Sequence, residues 1–400
     1  MIVATERSIT EQAIDVLRSN RRRTKDGLTY TLPSADSYPY QWLWDSCFHA
    51  IALAASEPDV ARSEIRALLS RQLPSGLLPH MIYWERVNGV YDIPWGYPET
   101  SSITQPPFIA EAVMRVYKAT GDQAYLSETY PAILNYFLYL LQDRDPRGNH
   151  LIGIINPDES GEDDSPRFDK PLDLPARHTL PENFARRLML VDHHRNCNFD
   201  APFCTKKVFW VKDVPFNAVM IRNLKVLAEI AGILGENKEM ENLLAHSSEI
   251  ADAMRARMEE EGIWYSTMGE SYEKIRVKSW AIFAPMYAGL LSKEEAEFLI
   301  ENYLNNADEF ATPFGVPTVP KSEKSYDPDG FWRGPVWMAS NWVLYHAFSD
   351  YGYTDEAEKI RTDSLALLEK SGFRERFNPE TGEGLGAHQF TWGALVLDMK

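Results

Sequence analysis

The chain has 400 residues, 44% hydrophobic and 25% charged, a globular composition with apolar material for a large core and too much of it for a disordered chain. Forty-one Lys and Arg against 58 Asp and Glu leave a net charge of −17, which disfavours nucleic acid and anionic membrane surfaces as partners. Three cysteines (Cys47, Cys197, Cys204) make no dense disulfide framework, the opening MIVATERSITEQ lacks a signal-like apolar core, and runs such as 281–292 are too short to span a bilayer, so a soluble cytoplasmic protein is expected.

Taken in chain order, helix follows helix. Apolar spacing of three and four, or apolar runs too long for a strand, predicts helices at about 8–20, 44–55, 58–72, 105–120, 122–142, 213–234, 237–261, 276–290, 292–304, 335–350, 354–371 and 388–399. The segment 213–234 is apolar around most of its circumference and should be buried. In 354–371 the apolar face is Ala357, Ile360, Leu367 and Leu368, with charge opposite. Ser8, Asp122, Ser292 and Thr354 read as helix starts, Gly235 and Gly372 as stops. Buried and amphipathic helices together suggest two concentric layers, six inside and six outside: an all-α (α/α)6 barrel. No linker-like stretch divides the chain, so 1–400 reads as one catalytic domain. Residues 145–212 break the cadence with seven prolines, a carboxylate cluster and several arginines, and read as a long lid or loop insertion with one short helix at 181–191. Segments 26–43, 73–104 and 308–334 are also irregular and aromatic-rich, and at one mouth of a barrel they would build a site. Oligomeric state is not readable, and a homo-oligomer stays open.

Aromatics make up 12% of the chain, and many lie outside periodic segments: Trp42, Trp44, Trp84, Trp95, Trp332 and Trp337. Such rings suit flat ligands with polar rims, as sugars are, or plain core packing. In Asp158-Glu159-Ser160-Gly161-Glu162-Asp163-Asp164, crowded like charges can keep one carboxyl protonated, as a general acid requires; a solvated loop or a Ca²⁺ site is the alternative. Glu375 precedes Asn378-Pro379 turn signals, just after a helix end, and is a candidate base for water or an exposed turn residue. Two separated carboxylate sites at an aromatic mouth suggest glycoside hydrolysis. In Trp42-Leu43-Trp44-Asp45, Asp45 either caps a helix or accepts sugar hydroxyls. Arg333, between Trp332 and Trp337, either pairs with a carboxylate or tethers the lid.

In order, YPYQWLWD, GLLPH, ITQPP, ESGEDDS, FWRGPVW and ERFNPETGEG…FTW resemble glycoside hydrolase family 63, and more distantly the trehalases, from Tyr38 to Trp392. The resemblance implies an (α/α)6 barrel that hydrolyses α-glycosides with inversion. It implies Asp163 as general acid and Glu375 as general base. Tyr38, Trp42, Trp44, Asp45, Gln105, Gly161, Trp332 and Trp337 would hold sugar, with Arg333 nearby and Tyr83 and Gln389 as further matches. Glucosylglycerate or mannosylglycerate is the first substrate expectation, from resemblance to the small bacterial members. Neutral disaccharides such as kojibiose or nigerose are the alternative, and an inactive carbohydrate-binding protein is a third reading. An anionic aglycone would need a local cationic patch, for which Arg177, Arg186, Arg187, Arg195, Lys206 and Lys207 are candidates. Glu162 departs from the apolar or aromatic residue common in relatives, and no glycine-rich trehalase segment is present. No cofactor and no metal are implied: His193, His194, Cys197 and Cys204 lack standard zinc spacing. A sugar epimerase on the same barrel would want paired histidines, and the nine here form no such motif.

Overall fold

The computed structural model describes residues 8–87 and 89–400. The helices are α1 (Ile9–Ser19), α2 (Leu43–Leu53), α3 (Pro58–Leu69), α4 (Ile109–Thr120), α5 (Gln123–Asp143), α6 (Leu180–Asn196), α7 (Ala201–Lys207), α8 (Val214–Leu234), α9 (Asn237–Met258), α10 (Ala284–Tyr287), α11 (Lys293–Leu299), α12 (Met338–Asp350) and α13 (Thr354–Ser371). A 3₁₀ segment, Thr391–Leu397, closes the chain.

An inner ring closes on itself. Helix α2 packs on α4, α4 on α8, α8 on α10, α10 on α12, α12 on Thr391–Leu397, and that segment returns to α2. Outside it, α3 backs α2, α5 backs α4, α9 backs α8, α13 backs α12 and α1 backs the C-terminal segment, while α11 follows α10 in the chain. This is an (α/α)6 barrel. Sequence decides the layer: every residue of α2 is buried, as are Met338–Phe348 of α12, and neither has a polar stripe to offer water. The outer α13 buries Ala357, Ile360, Ser364, Leu367 and Leu368 and leaves its charges outside. Among the described residues no helix is long and apolar enough to cross a membrane.

Ser8 and Ser292 complete capping boxes with Glu11 and Glu295, and Asp122 accepts the Tyr125 N–H. Gly235 and Gly372 end α8 and α13 with positive φ. Thr354 is not a cap; it is the first helical residue after Tyr353. Prolines trim several expected helices. Pro106 and Pro107 delay α4 to Ile109, and Pro285, lacking an N–H, reduces 276–290 to a 3₁₀ turn (Trp280–Phe283) and the one-turn α10. The expected helix at 388–399 is the 3₁₀ segment, preceded by a strand, Gly384–His388, paired antiparallel with Arg374–Phe377. Segment 145–212 is more regular than a loop: it holds two 3₁₀ turns, α6, which runs five residues beyond the expected 191, and α7.

Candidate active site

At the N-terminal ends of the inner elements lies a cavity of about 540 Å³, with walls from α2, the 157–164 turn, α6 and the aromatic loops. Gln41–Trp42 pairs with Met81–Ile82, which holds Trp42 extended just before α2. Asp45 then falls in the first helical turn, where the helix dipole favours a carboxylate. It is no cap: its Oδ1 accepts the Trp392 indole N–H at 2.6 Å. Burial pushes its carboxyl up to about 6, with His49 and the Trp392 bond opposing. Gln105 Oε1 accepts the Trp44 N–H at 3.3 Å and fixes that wall. Gly161 ends the 3₁₀ turn Pro157–Ser160 at φ +74°, and a Cβ there would stand 2.3 Å from the Trp44 ring, so only glycine lets turn and indole meet. Trp332 and Trp337 stack at 3.9 Å and 7° as a further aromatic wall.

The carboxylate cluster is sorted by its partners. Glu159 takes both Arg144 nitrogens at 2.7 Å and the N–H groups of Thr104 and Ile155, so it anchors the turn. Glu162, the departure noted in the sequence, turns away to Arg167 and the Trp280 indole. Arg167 in turn reaches Asp213 at the start of α8. Asp164 bonds His178 at 3.0 Å. Asp158 and Asp163 face the cavity, and Arg187 of α6 bridges them, with Nη1 on Asp158 and Nη2 on Asp163 at 2.8 Å. Burial pushes Asp163 up to about 7. Arg187 opposes that rise, while Asp158 and Asp164 add to it, so burial leads and like-charge crowding is secondary.

Glu375 lies on the strand Arg374–Phe377, not in a loop after a helix. It is 4% exposed and stands one hydrogen bond behind the cavity wall, accepting the Tyr38 hydroxyl, the Ala387 N–H at 3.0 Å and Arg376 Nη1 at 3.0 Å. Burial, then Glu375, raises the Tyr38 phenol well above its ordinary range, and Asp163 adds to it, so this hydroxyl remains a donor near neutrality. Tyr91, beside Tyr38 with ring centroids at 5.5 Å, is also raised by burial and by both carboxylates. The two phenols therefore sit in the field of Asp163 and Glu375 together.

Of the remaining sequence candidates, Tyr38, Trp42, Trp44, Asp45, Gln105, Gly161, Trp332 and Trp337 line the cavity. Three do not. Tyr83 packs edge-on against Tyr40, and Tyr91 takes the wall position instead. Arg333 is consumed by Asp169 (2.9 and 2.6 Å) and the Ala176 carbonyl, so it tethers the segment after the acid turn. Gln389 is exposed, at φ +50°, and meets Asn20 through its backbone carbonyl. Sequence reading gives no site role to Tyr91, His80, Phe331, Phe390 or Trp392, although all but Tyr91 lie inside quoted motifs, and it names Asp158 only as a member of the carboxylate cluster. Burial, then Arg187, pushes the His80 imidazole down to about 3, so it is neutral at pH 7. Among the six basic candidates for an anion patch, Arg187 lines the cavity. Among the described residues, no group of three or more His, Cys, Asp or Glu is placed to hold a metal ion.

Residues 38–393 match the family model of the mannosylglycerate hydrolase MGH1-like glycoside hydrolase domain. The chain is 33% identical to a mannosylglycerate hydrolase of Thermus thermophilus, over 96% of this chain and 98% of the relative. It is 26% identical to a glucosylglycerate hydrolase of Mycolicibacterium hassiacum, over 98% of each. Its backbone follows the crystal structure of a family 63 mannosylglycerate hydrolase from Thermus thermophilus in complex with Tris and D-glycerate, with a TM-score of 0.90 at 31% identity, covering 98% of this chain and 100% of that one.

Proposed function

The chain belongs to glycoside hydrolase family 63, within the mannosylglycerate hydrolase MGH1-like group, and is a glycoside hydrolase; from that premise we propose that it is an inverting, exo-acting α-glycosidase on glucosylglycerate or mannosylglycerate. The observation that carries the substrate class is Arg187. It is the one guanidinium among the described residues lining a cavity whose other side chains are aromatic, aliphatic, amide or acidic, and it stands against the carboxyl assigned as acid. A sugar acid offers it a carboxylate partner, which a neutral disaccharide lacks. The relatives named above act on glycerate glycosides by their names, which supports the same class.

In this reading Asp163 protonates the glycosidic oxygen, for which a carboxyl raised to about 7 is suited. Glu375 deprotonates a water on the opposite face of the ring, positioned by Tyr38, and the transition state is oxocarbenium-like. Asp45, Gln105 and the indoles of Trp42, Trp44, Trp332 and Trp337 receive the glycone. The chain acts as one catalytic domain, with 145–212 folded over its mouth. Proton NMR of the purified protein with glucosylglycerate, mannosylglycerate, kojibiose, nigerose, maltose and trehalose tests the proposal. Early β-anomer from a glycerate glycoside is the expected result. Early α-anomer would overturn inversion, turnover of the disaccharides alone would overturn the substrate class, and binding without turnover would leave a carbohydrate-binding protein.

A further inference from the structure

Arg187 poses a chemical problem that the proposed reaction does not absorb. A general acid must carry its proton, yet here the Arg187 guanidinium is ion-paired to it, with Nη2 2.8 Å from Asp163 Oδ2, a contact that favours the ionised carboxylate. Arg187 is also held at two other points. Its Nη1 is ion-paired to Asp158, and its Nε donates to Asn183 Oδ1 at 2.7 Å. Asn183 in turn donates to the Asp163 carbonyl at 3.2 Å, and the Phe184 ring lies 5.3 Å from the guanidinium. Asp158, Asp163 and Arg187 all line the cavity. Two carboxylates thus share one cation at the wall of the site.

Around Asp163, Arg187 comes from α6, Asp158 from the preceding turn and Asp164 from its own segment; the phenols of Tyr38 and Tyr91 at the cavity wall feel Asp163, and the imidazole of His80 there feels Arg187. Asp164 is occupied with His178. An incoming carboxylate therefore finds Arg187 as its partner, and Asp163 is the ligand it displaces.

We propose that Arg187 is a positioning and specificity-determining residue: anchored by Asp158, it transfers its Nη2 edge from Asp163 to the carboxylate of the aglycone, and so frees Asp163 to hold a proton when an anionic substrate is bound. The proposal rests on the reading of Asp163 as acid and of a glycerate glycoside as substrate. No covalent bond changes in the exchange; one ion pair replaces another, and Asp163 takes one proton from solvent. The binding of the correct aglycone arms the acid through two effects, loss of a cation and arrival of an anion. A neutral glycoside triggers neither, so discrimination falls on kcat as well as KM.

The test is steady-state kinetics of the full chain from about pH 5 to 9, across the titration range of a carboxyl raised this far. Whichever glycerate glycoside turns over is compared with the glycosylglycerol that carries a hydroxymethyl in place of the carboxylate. With the carboxylate substrate, the basic limb of kcat should lie about one pH unit or more above that of kcat/KM. With the glycosylglycerol, kcat near neutrality should be lower by about tenfold or more. Asp158→Asn should move the basic limb of kcat/KM to lower pH, because Arg187 then spends its charge on Asp163; a merely structural Asp158 would leave the limb in place. Coincident limbs for the carboxylate substrate, or equal kcat for the two substrates, overturn the exchange while leaving the hydrolase reading intact. No turnover of either glycerate glycoside, or near-wild-type turnover by Asp163→Asn, overturns the reading beneath it and the exchange together.

Discussion

The Trp392 indole donates to Asp45 Oδ1 at 2.6 Å, joining the last element of the inner ring to the first at the floor of the cavity. Asp45 is 3% exposed, and its environment raises its carboxyl from 3.8 to about 6. The folded value exceeds the unfolded one, so the folded state binds the proton more tightly. The ionised group therefore costs stability above that window and nothing below it. The first prediction is that Asp45→Asn, which keeps an oxygen for Trp392, raises stability at pH 7 by about 2 kcal/mol and lowers sugar affinity. The gain over wild type should be absent near about pH 4, grow to about pH 6 and then level off. Melting curves of both proteins across that range check it; a gain that shrinks as pH rises would mean that Asp45 is stabilised as the anion.

Asp163→Asn and Glu375→Gln should each lower kcat by about three orders of magnitude or more while leaving the melting temperature within a few degrees of wild type. The two variants differ in what restores them. A glycosyl fluoride, whose leaving group needs no proton, should recover much of the Asp163→Asn activity and little of the Glu375→Gln activity. Recovery of Glu375→Gln alone would mean that the acid and base assignments are interchanged, and equal recovery of both would mean that they are wrong. Crystallography of a substrate complex adds a second check, since an inverting pair stands about 6.5–9.5 Å apart and a retaining pair about 5–5.5 Å.

How much of this was legible in the sequence follows from where periodicity reaches. Inner helices announce themselves because Val214–Leu234 and Met338–Phe348 are apolar around most of their circumference, and WLWD places Asp45 one turn into a helix. The irregular segments carry no period, so nothing there distinguishes Tyr83, which is packed on Tyr40, from Tyr91, which faces the cavity. Six basic residues of 145–212 looked equivalent; the helix over Leu180–Asn196 decides which one points inward. The strand bearing Glu375 is four residues long and bulged, too short for alternation to show. Arg333 sat between two cavity tryptophans and read as a site residue, yet its planar fork is spent on Asp169.

The pH dependence of kcat/KM reports the free protein, in which Asp163 is raised to about 7. The acid must be protonated, so activity should fall as pH rises through about 7, by about tenfold per unit beyond it. Burial is the leading cause of the rise, so a substitution that admits water beside Asp163 should move the limb to lower pH. Phe184→Ala, which removes the ring beside Arg187 at the cavity wall, is the variant for this. An unchanged limb in that variant would assign the raised carboxyl to neighbouring charge instead of burial.

Glu159 carries the last prediction. It is fully buried and accepts four hydrogen bonds: two from Arg144 at 2.7 Å each, and one each from the backbones of Thr104 and Ile155. Arg144 is 1% exposed. Glu159→Gln keeps the shape and removes the charge, leaving a buried guanidinium without a counterion. Breaking such a pair on one side costs about 3–5 kcal/mol, far more than a surface ion pair is worth. The variant should melt well below wild type and lose activity in proportion to its unfolded fraction. At a temperature where it remains folded, kcat should also drop, because Glu159 fixes the turn in which Gly161 meets Trp44 and Asp163 meets the cavity. Replacing Arg144 and Glu159 together with Met and Leu removes both buried charges and should recover part of the melting temperature but not kcat, because the N–H groups of Thr104 and Ile155 then lose their acceptor. Full recovery of kcat in the double variant would show that the turn holds its shape without this anchor.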